Sequence, residues 1–590
     1  MAALLGRRLQ RIAMITAMVC MAAPAAVAHQ SQATGGMAVT VHPLATQAAV
    51  ATIESGGNAV DAAIAAALML GVVDPHNSGI GGGCFILIRL PDGEFVAIDG
   101  RETAPAKATR DMYLRNGEPD SRLSQTGPLA VAAPGALAAY ELAVRRHGRL
   151  PLRQALLRAA AQARAGFVVD RVFAGRLRAA APLLRRFPES RRVLLRRDGS
   201  PYAVGDHVEF PELARTYEAV AEHGVDWFYR GPFARRVSEW MAQHGGRLSV
   251  EDFANYRAIE RQPVRTRYRE YEVVGFPPPS SGGVHVAQIL NMLECFDLRE
   301  LHRRDPAVMT HLVIEAMKRA FADRAFWLGD PEFTGVPRGL VQRDYARELA
   351  ATIRLDRATP VAGHGTPPRA RSDLFSRHTT HLAVADRDGT WVAITQTINT
   401  TYGSKVVVPG TGVVLNNEMD DFAIALGVPN AFGLVGADAN AVAAGKRPLS
   451  SMSPTIVLKD GKPVLTVGAA GGPKIITQVV LTIIRHLDLQ WPLEQAVSRP
   501  RYHHQWKPDH VFVERGLDET LAKRLEQFGH AVVPTRSSGV TQAIRYRQDD
   551  QGQPRWIGVA DPRAAGMARG WPARVPVRAA PSPLPATTRK

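Results

Sequence analysis

The stretch RHTTHLAVADRDGTWVAITQTINTTYGS, residues 377–404, constrains this chain more than any other. Two β-prone runs flank the polar Asp386-Arg387-Asp388-Gly389, which predicts a hairpin. In the second run Trp391, Ala393, Thr395, Thr397 and Asn399 share one face, and Val392, Ile394, Gln396 and Ile398 share the other. One face is thus small and polar, an unusual companion to so apolar a reverse side. A four-residue turn sets Thr379 opposite Gln396, and a single bulge brings it opposite Thr397. Hydroxyls and an amide then gather where the first strand begins. β-Propensity alone also accounts for a threonine-rich strand, and the segment by itself leaves both readings open.

At roughly 150 residues per domain, 590 residues would suggest about four domains. No long low-complexity linker divides the chain, and 46% apolar with 22% charged residues fits one sizeable core. The net charge of +17 raises nucleic acid or an anionic envelope as partners. The arginines are scattered, however, and the densest patch, residues 176–197, lacks interleaved aromatics. Solvated helix faces explain it better, and no nucleic-acid partner is expected.

Arg7, Arg8 and Arg11 precede an apolar run from Ile12 to Val27 that ends in Ala26-Val27-Ala28. This is a signal peptide, residues 1–28, with removal expected after Ala28. The run is broken by Pro24 and too short to span a bilayer comfortably. The expectation is an exported protein, periplasmic or secreted, with no membrane span in its mature form. Beyond Cys20 in that peptide only Cys84 and Cys295 remain, each in an apolar run; an oxidising compartment would allow one disulfide between them, but two buried thiols are the expectation. Without a CxxC pair they give no metal site.

Residues 43–73 read as two helices parted by Gly56-Gly57, the second capped by Asn58. The glycines of GIGGGCFILIRL, residues 79–90, precede a strand rather than joining strand to helix. Tight backbone packing fits them better than a phosphate loop. Residues 130–350 are mainly helical, with PPPSSGG (277–283) leading into a helix from Val284 to Leu298. Residues 356–378, rich in Pro, Gly and Arg, form the best candidate for a mobile segment. After the hairpin, strands alternate with polar or Gly-rich turns, a helix follows Gly472, and residues 571–590 read as a disordered tail.

The motifs GGNAVDAA, IDGRETAPAKATRDMY, PPPSSGG, TTH, NNEMDDF, RPLSSMSPTIV, GAAGGPKIIT, PRYHHQW and ADPR, in this order, resemble the γ-glutamyltranspeptidases, also called glutathione hydrolases. The similarity covers nearly all of the mature chain. It implies an α+β fold, the four-layer αββα sandwich of N-terminal-nucleophile hydrolases, and a precursor that cuts itself between His378 and Thr379. The products would be a large subunit, 29–378, and a small subunit, 379–590, intertwined as one heterodimeric domain. Before cleavage the Thr379 nitrogen is an amide that cannot take a proton. Afterwards it is an α-amine with an ordinary pKa near about 8, able to serve its own hydroxyl as base.

The resemblance also implies roles by position. Thr397 would orient the nucleophile, and the amides of Gly471 and Gly472 would form the oxyanion hole. Arg101, Ser450 and Ser451 would hold a substrate α-carboxylate, and Asp421, Asn399 and Glu418 the α-ammonium. The donor would be glutathione or another γ-glutamyl compound, and the acceptor water, an amino acid or a peptide. No cofactor is implied. VPNAFGLVGADANA resembles a lid loop whose tip tyrosine latches onto Asn399 in bacterial relatives; here Phe432 has no hydroxyl to do so.

The alternative is a glutaryl-cephalosporin-type acylase of the same fold, acting on a substrate without the α-amino group. Asp421 argues against it, since a buried carboxylate with no cation to meet is costly. His378 and His381, three apart on a strand, face opposite sides, as do adjacent His503 and His504, so no metal is expected. Ser450-Ser451 lacks the G-x-S-x-G elbow of a serine nucleophile.

Overall fold

The computed structural model describes residues 28–368, 381–536 and 538–573. Fourteen strands matter here. Seven precede the hairpin: β1 (His29–Ala33), β2 (Gly36–Thr40), β3 (Gly83–Arg89), β4 (Phe95–Gly100), β5 (Ile259–Arg261), β6 (Val264–Tyr268) and β7 (Tyr271–Gly275). The others are β8 (His381–Asp386), β9 (Trp391–Thr397), β10 (Thr455–Lys459), β11 (Lys462–Ala470), β12 (Val540–Gln548), β13 (Pro554–Ala560) and β14 (Met567–Trp571). The helices that cover them include α1 (Pro43–Glu54), α2 (Ala59–Val73), α3 (Ala136–His147), α4 (Ser281–Leu293), α5 (Pro306–Trp327) and α6 (Lys474–Leu487).

The strands form two seven-stranded sheets, in the orders β14-β2-β8-β9-β3-β4-β5 and β1-β13-β12-β11-β10-β7-β6. Strands from before and after position 379 interleave in both sheets, so neither part could complete a sheet alone. Every residue of β8 and β9 is buried, because their sheet is covered on both faces. Val392, Ile394 and Ile398 pack outward against α2 and α3, while Trp391 and Ala393 pack inward against Ile456, Ile544 and Trp556 of the second sheet. Val457, Leu465 and Val467 on the far side of that sheet meet Ile289, Val313 and Ile476 of α4, α5 and α6. Layer by layer this is helix, sheet, sheet, helix. Each fully buried Val, Leu or Ile contributes roughly 1.5–3 kcal/mol.

Local chemistry accounts for the elements nearest the site. The Asn58 side chain accepts from the N–H of Val60 (3.0 Å) and Asp61 (3.1 Å), and Asp61 accepts from the Asn58 N–H (2.9 Å), so a capping box starts α2. In the hairpin the Asp386 N–H donates to the Thr390 carbonyl (3.0 Å), leaving a three-residue connection with Gly389 at φ +93°. The Asp386 carboxylate accepts from the N–H groups of Asp388, Thr390 and Ala59, each at 3.0 Å. His381 therefore pairs with Thr395 and Ala385 with Trp391. That is one residue out of step with the four-residue turn and matches the bulged alternative.

The structure corrects other expectations. The helix expected over 284–298 is α4, Ser281–Leu293, which starts earlier because the Ser280 hydroxyl caps the Gly282 N–H at 2.8 Å. Cys84 is buried but Cys295 is exposed, and both are free thiols. Trp571 is not tail: it ends β14, pairs with Gly36 and is buried. Residues 356–368 are strapped down despite their composition. Lys318 Nζ donates to the Thr359 carbonyl (2.7 Å), Trp506 Nε1 to that of Val361 (2.7 Å), and the Gly365 N–H to Asp323 (2.7 Å). Residues 1–27, 369–380 and 574–590, including both sides of the expected cut and nearly all of the signal peptide, lie outside the described residues. No described helix is long and apolar enough to cross a membrane.

Candidate active site

Arg101 follows β4 and is wholly buried. Its backbone is clamped before its side chain does anything. The Arg101 carbonyl accepts from Tyr256 Oη (2.6 Å) and Arg447 Nη1 (2.8 Å), and its N–H donates to Asp99 (2.8 Å). Asp99 is itself fixed by Arg261 (2.9 Å) and Arg447 (3.0 Å). From this anchorage the guanidinium donates to Asp421 Oδ2 (2.8 Å), to Glu102 Oε2 (3.3 Å), to Glu418 Oε1 and, through Nε, to the Pro448 carbonyl (3.3 Å).

Glu418 and Asp421 come from one 3-10 turn, Glu418–Asp421. Asn416 sets it by accepting from the Glu418 N–H (3.0 Å) and donating to the carbonyls of Gly81 (2.8 Å) and Ala132 (2.9 Å). Three carboxylates therefore surround one guanidinium in a buried site. Burial raises Glu102 to about 7 and holds Glu418 well above the ordinary range, with Arg101 opposing both shifts only in part. The next cation is Arg324, whose Nε donates to Ser281 Oγ (3.0 Å). Burial lowers it to about 10, and Asp421 is the charge that opposes the shift. Asp421 is thus not a carboxylate without a cation, as the sequence suggested: Arg101 already meets it.

Ser450 and Ser451 lie behind this cluster, both buried. The Ser450 carbonyl accepts from the Ser281 N–H (2.9 Å) and hydroxyl, which joins PPPSSGG to RPLSS, while the buried Ser450 hydroxyl has no partner among the described residues.

Thr397 ends β9, and its Oγ1 accepts from the Asn399 N–H (2.7 Å). Asn399 sits at φ +73° and donates from Nδ2 to the carbonyl of Asn417 (2.9 Å), the residue before Glu418. A Cβ on Gly82 would fall 1.9 Å from the Thr397 carbonyl, so the glycine run serves close packing here. On the other side, Asn430 Nδ2 lies 3.3 Å from Asp421 Oδ1, and Asn430 Oδ1 accepts from the Phe432 N–H (3.0 Å). The Phe432 ring lies over Gly472, where an added Cβ would stand 2.7 Å from it. Gly471 (φ +137°) and Gly472 (φ +60°) join β11 to α6 in a backbone conformation that L side chains rarely adopt. One continuous set of contacts thus runs from Thr397 through Asn399, Asn417, Glu418, Arg101, Asp421 and Asn430 to Phe432 and Gly472.

Asn417 and Asn430 belong to this set, Glu102 joins it through Arg101, and Arg324 stands beside it through Ser281; sequence reasoning singled out none of the four. Glu102 stood beside Arg101 in view, and Asn417 lay in the quoted NNEMDDF. Thr379 and His378 lie outside the described residues. His381 is buried, Nδ1 3.2 Å from Thr395 Oγ1, and burial lowers it to about 3. His503 bridges Thr477 and Gln505, and His504 meets Asp509 (3.0 Å), so both have protein partners. Among the described residues His311, Glu315 and His530 have metal-like spacing. Glu315 is already neutralised by Lys318 and Arg319, each at 2.8 Å, and His311 hydrogen-bonds His530 at 2.7 Å.

Facing sheets between helical layers, with a buried charge cluster reached from their strand ends, define the chain as a sandwich of the N-terminal-nucleophile hydrolase type. The cephalosporin acylase of Bacillus halodurans has the same architecture, with a TM-score of 0.81 and 27% identity over 92% of this chain and 97% of that one. The chain belongs to the γ-glutamyltranspeptidase family: the family profile described as Gamma-glutamyltranspeptidase matches residues 45–571. It is 42% identical over 540 residues to a glutathione hydrolase proenzyme of Escherichia coli (strain K12), covering 91% of this chain and 92% of the relative. It is also 38% identical over 525 residues to the Acylase ACY 1 proenzyme of Pseudomonas sp. (strain SE83), covering 87% and 90%.

Proposed function

We propose that this chain is an exported γ-glutamyl hydrolase and transferase that acts on glutathione and related γ-glutamyl compounds after cutting itself between His378 and Thr379. What supports Thr379 as nucleophile is its place in the sequence, two residues before β8, which begins with His381 opposite Thr395, two residues short of Thr397. A Cβ on Gly468 would overlap the His381 ring, so β8 begins packed against β11 at Gly468, three residues before Gly471 in sequence. The freed Thr379 amine takes the proton of its own hydroxyl, and Oγ1 attacks the γ-carbonyl. The N–H groups of Gly471 and Gly472 hold the oxyanion, and the leaving amine recovers the proton. Water or an acceptor amine then opens the ester. Removal of the signal peptide after Ala28 fits a fold whose first strand begins at His29.

The observation that carries the γ-glutamyl reading is the charge balance around Arg101. Glu102, Glu418 and Asp421 outnumber it, and burial pushes Glu102 and Glu418 toward the protonated form. A substrate α-ammonium would draw these carboxylates back toward the ionised form, while its α-carboxylate turns to Arg101, Ser450 and Ser451. Asn399, Glu418 and Asp421 would take the ammonium. A glutaryl group brings only a further negative charge, although the two acylase relatives keep that reading open to test. The test compares a γ-glutamyl anilide with its glutaryl analogue on the wild type and on Thr379→Ala. The wild type is expected to appear as two chains and to prefer the γ-glutamyl compound, and Thr379→Ala to stay a single inactive chain. A wild type that prefers the glutaryl compound contradicts the proposal.

A further inference from the structure

Two of the sequence motifs, PRYHHQW (500–506) and ADPR (560–563), meet behind the turn that joins β11 to α6. The buried Arg501 guanidinium donates through Nη2 to Asp561 Oδ2 and to the Val497 carbonyl (2.7 Å). Through Nη1 it donates to Gln478 Oε1 (2.9 Å) and to the Gly539 carbonyl (3.1 Å). Asp561 Oδ2 also accepts from the Thr541 N–H (2.8 Å), and the Thr541 hydroxyl donates to the same Gln478 Oε1 (3.0 Å). Two donors on one atom fix which way the buried Gln478 amide faces, because only its oxygen can accept. Its Nε2 is thereby turned to the Ala470 carbonyl, to which it donates at 3.0 Å. A Cβ on Gly539 would stand 2.0 Å from that carbonyl oxygen and 2.5 Å from Gln478 Nε2, so a glycine there leaves room for the bond.

The consequence falls on the other end of the same peptide. Ala470 and Gly471 share one planar trans unit, in which C=O and N–H point in opposite directions. Holding the Ala470 oxygen toward Gln478 therefore points the Gly471 N–H away from it. Gly471 (φ +137°) and Gly472 (φ +60°) have no side chains to brace the turn, so its aim depends on hydrogen bonds made to its backbone.

We propose that Gln478, held by Arg501 and Thr541, is a positioning residue for the oxyanion hole, aiming the Gly471 N–H at the oxygen that becomes negative on the acyl carbon. This rests on the functional reading above, which takes the Gly471 and Gly472 amides as that hole. Gln478 touches no substrate and acts through the peptide plane alone. A hydrogen bond weakens steeply once its angle falls below about 120°, and this one reaches full strength only in the transition state. A loosened plane therefore costs rate and spares ground-state binding.

The experiment compares the wild type with Gln478→Glu and Thr541→Val, each shown by denaturing gel to be cleaved. Gln478→Glu keeps an acceptor for Arg501 and Thr541 but sets a carboxylate oxygen against the Ala470 carbonyl. Thr541→Val only loosens the grip on Gln478 Oε1. Each protein is read by kcat on a γ-glutamyl anilide, by inhibition with L-glutamate, which forms no oxyanion, and by inhibition with the γ-boronate analogue of glutamate, whose tetrahedral adduct places an anionic oxygen in the hole. Gln478→Glu is expected to lower kcat about 10- to 100-fold and to weaken the boronate by a similar factor, with L-glutamate inhibition unchanged. Thr541→Val should move the same two readings by about 2- to 10-fold. Unchanged kcat and boronate inhibition in either variant, or L-glutamate weakened as much as the boronate, overturns this inference alone. If Gln478→Glu stays uncut, Thr541→Val decides by the same comparison. A wild type that neither turns over the anilide nor is inhibited by the boronate overturns the functional reading and this inference with it.

Discussion

Replacing Asp421 with Asn removes one negative charge beside Arg101 while keeping the side chain's shape. In the free protein Arg101 loses its 2.8 Å contact with Asp421 but keeps Glu418 and Glu102. Breaking a buried pair costs about 3–5 kcal/mol when a charge is left alone. Here none is, so the cost should stay near about 1 kcal/mol, a Tm change within about 3 °C. The effect on a γ-glutamyl donor is larger. A charge-assisted hydrogen bond to its ammonium is worth about 1.5–3 kcal/mol, or about 10- to 150-fold in kcat/KM. A glutaryl anilide has no ammonium and should keep or improve its rate, because one repelling charge has gone. Initial rates of anilide release for both substrates, on protein shown by denaturing gel to be fully cleaved, measure the two effects together. An equal loss on both substrates would refute the reasoning, since Asp421 would then act through the fold or the chemistry and not through the amino group.

Glu102, raised by burial to about 7 from an ordinary 4.5, binds its proton more tightly in the folded than in the unfolded chain. Its contribution to stability is fully present below about pH 4.5 and is lost as pH rises to about 7. Glu102→Gln should therefore flatten the fall of Tm across that window, and an unchanged slope would count against the shift. Phe432→Tyr should narrow the range of acceptors by adding a hydroxyl that can latch the lid to Asn399; identical kcat/KM values across an acceptor panel would argue otherwise. Gly472→Ala places a methyl 2.7 Å from the Phe432 ring at φ +60°. The strain of about 1–2 kcal/mol should lower anilide turnover about 5- to 30-fold, and full activity would show that the lid and glycine are not in close contact during turnover.

The hairpin and the first two helices were legible because their signals are local. Asn58 and Asp61 cap α2 within three residues, and the alternation of β9 is written in consecutive positions. Of the two registers offered, the four-residue turn was one residue out and the bulged one matched, because Asp386 and Thr390 pair across three residues, which a count of polar turn residues does not reveal. The pairing of two sheets was not readable from periodicity, since β3, β8 and β9 are covered on both faces and buried at nearly every position, polar side chains included. The charge cluster was the least visible part. Arg101 meets Glu418 and Asp421 across 317 and 320 residues, and Glu102 looked like a neighbour in sequence and nothing more. Composition misled at residues 356–368, where buried Lys318, Asp323 and half-buried Trp506 hold a Pro- and Gly-rich segment in place.

The central claim is that Thr379, exposed as a chain terminus by self-cleavage, carries the γ-glutamyl group. Intact-mass and peptide analysis of cleaved enzyme, quenched during turnover of a γ-glutamyl donor, tests it most directly. The account predicts a γ-glutamyl adduct on the small chain, confined to a peptide that begins with Thr379 and absent in Thr379→Ala. An adduct on another residue, or turnover by an uncut chain, would contradict it.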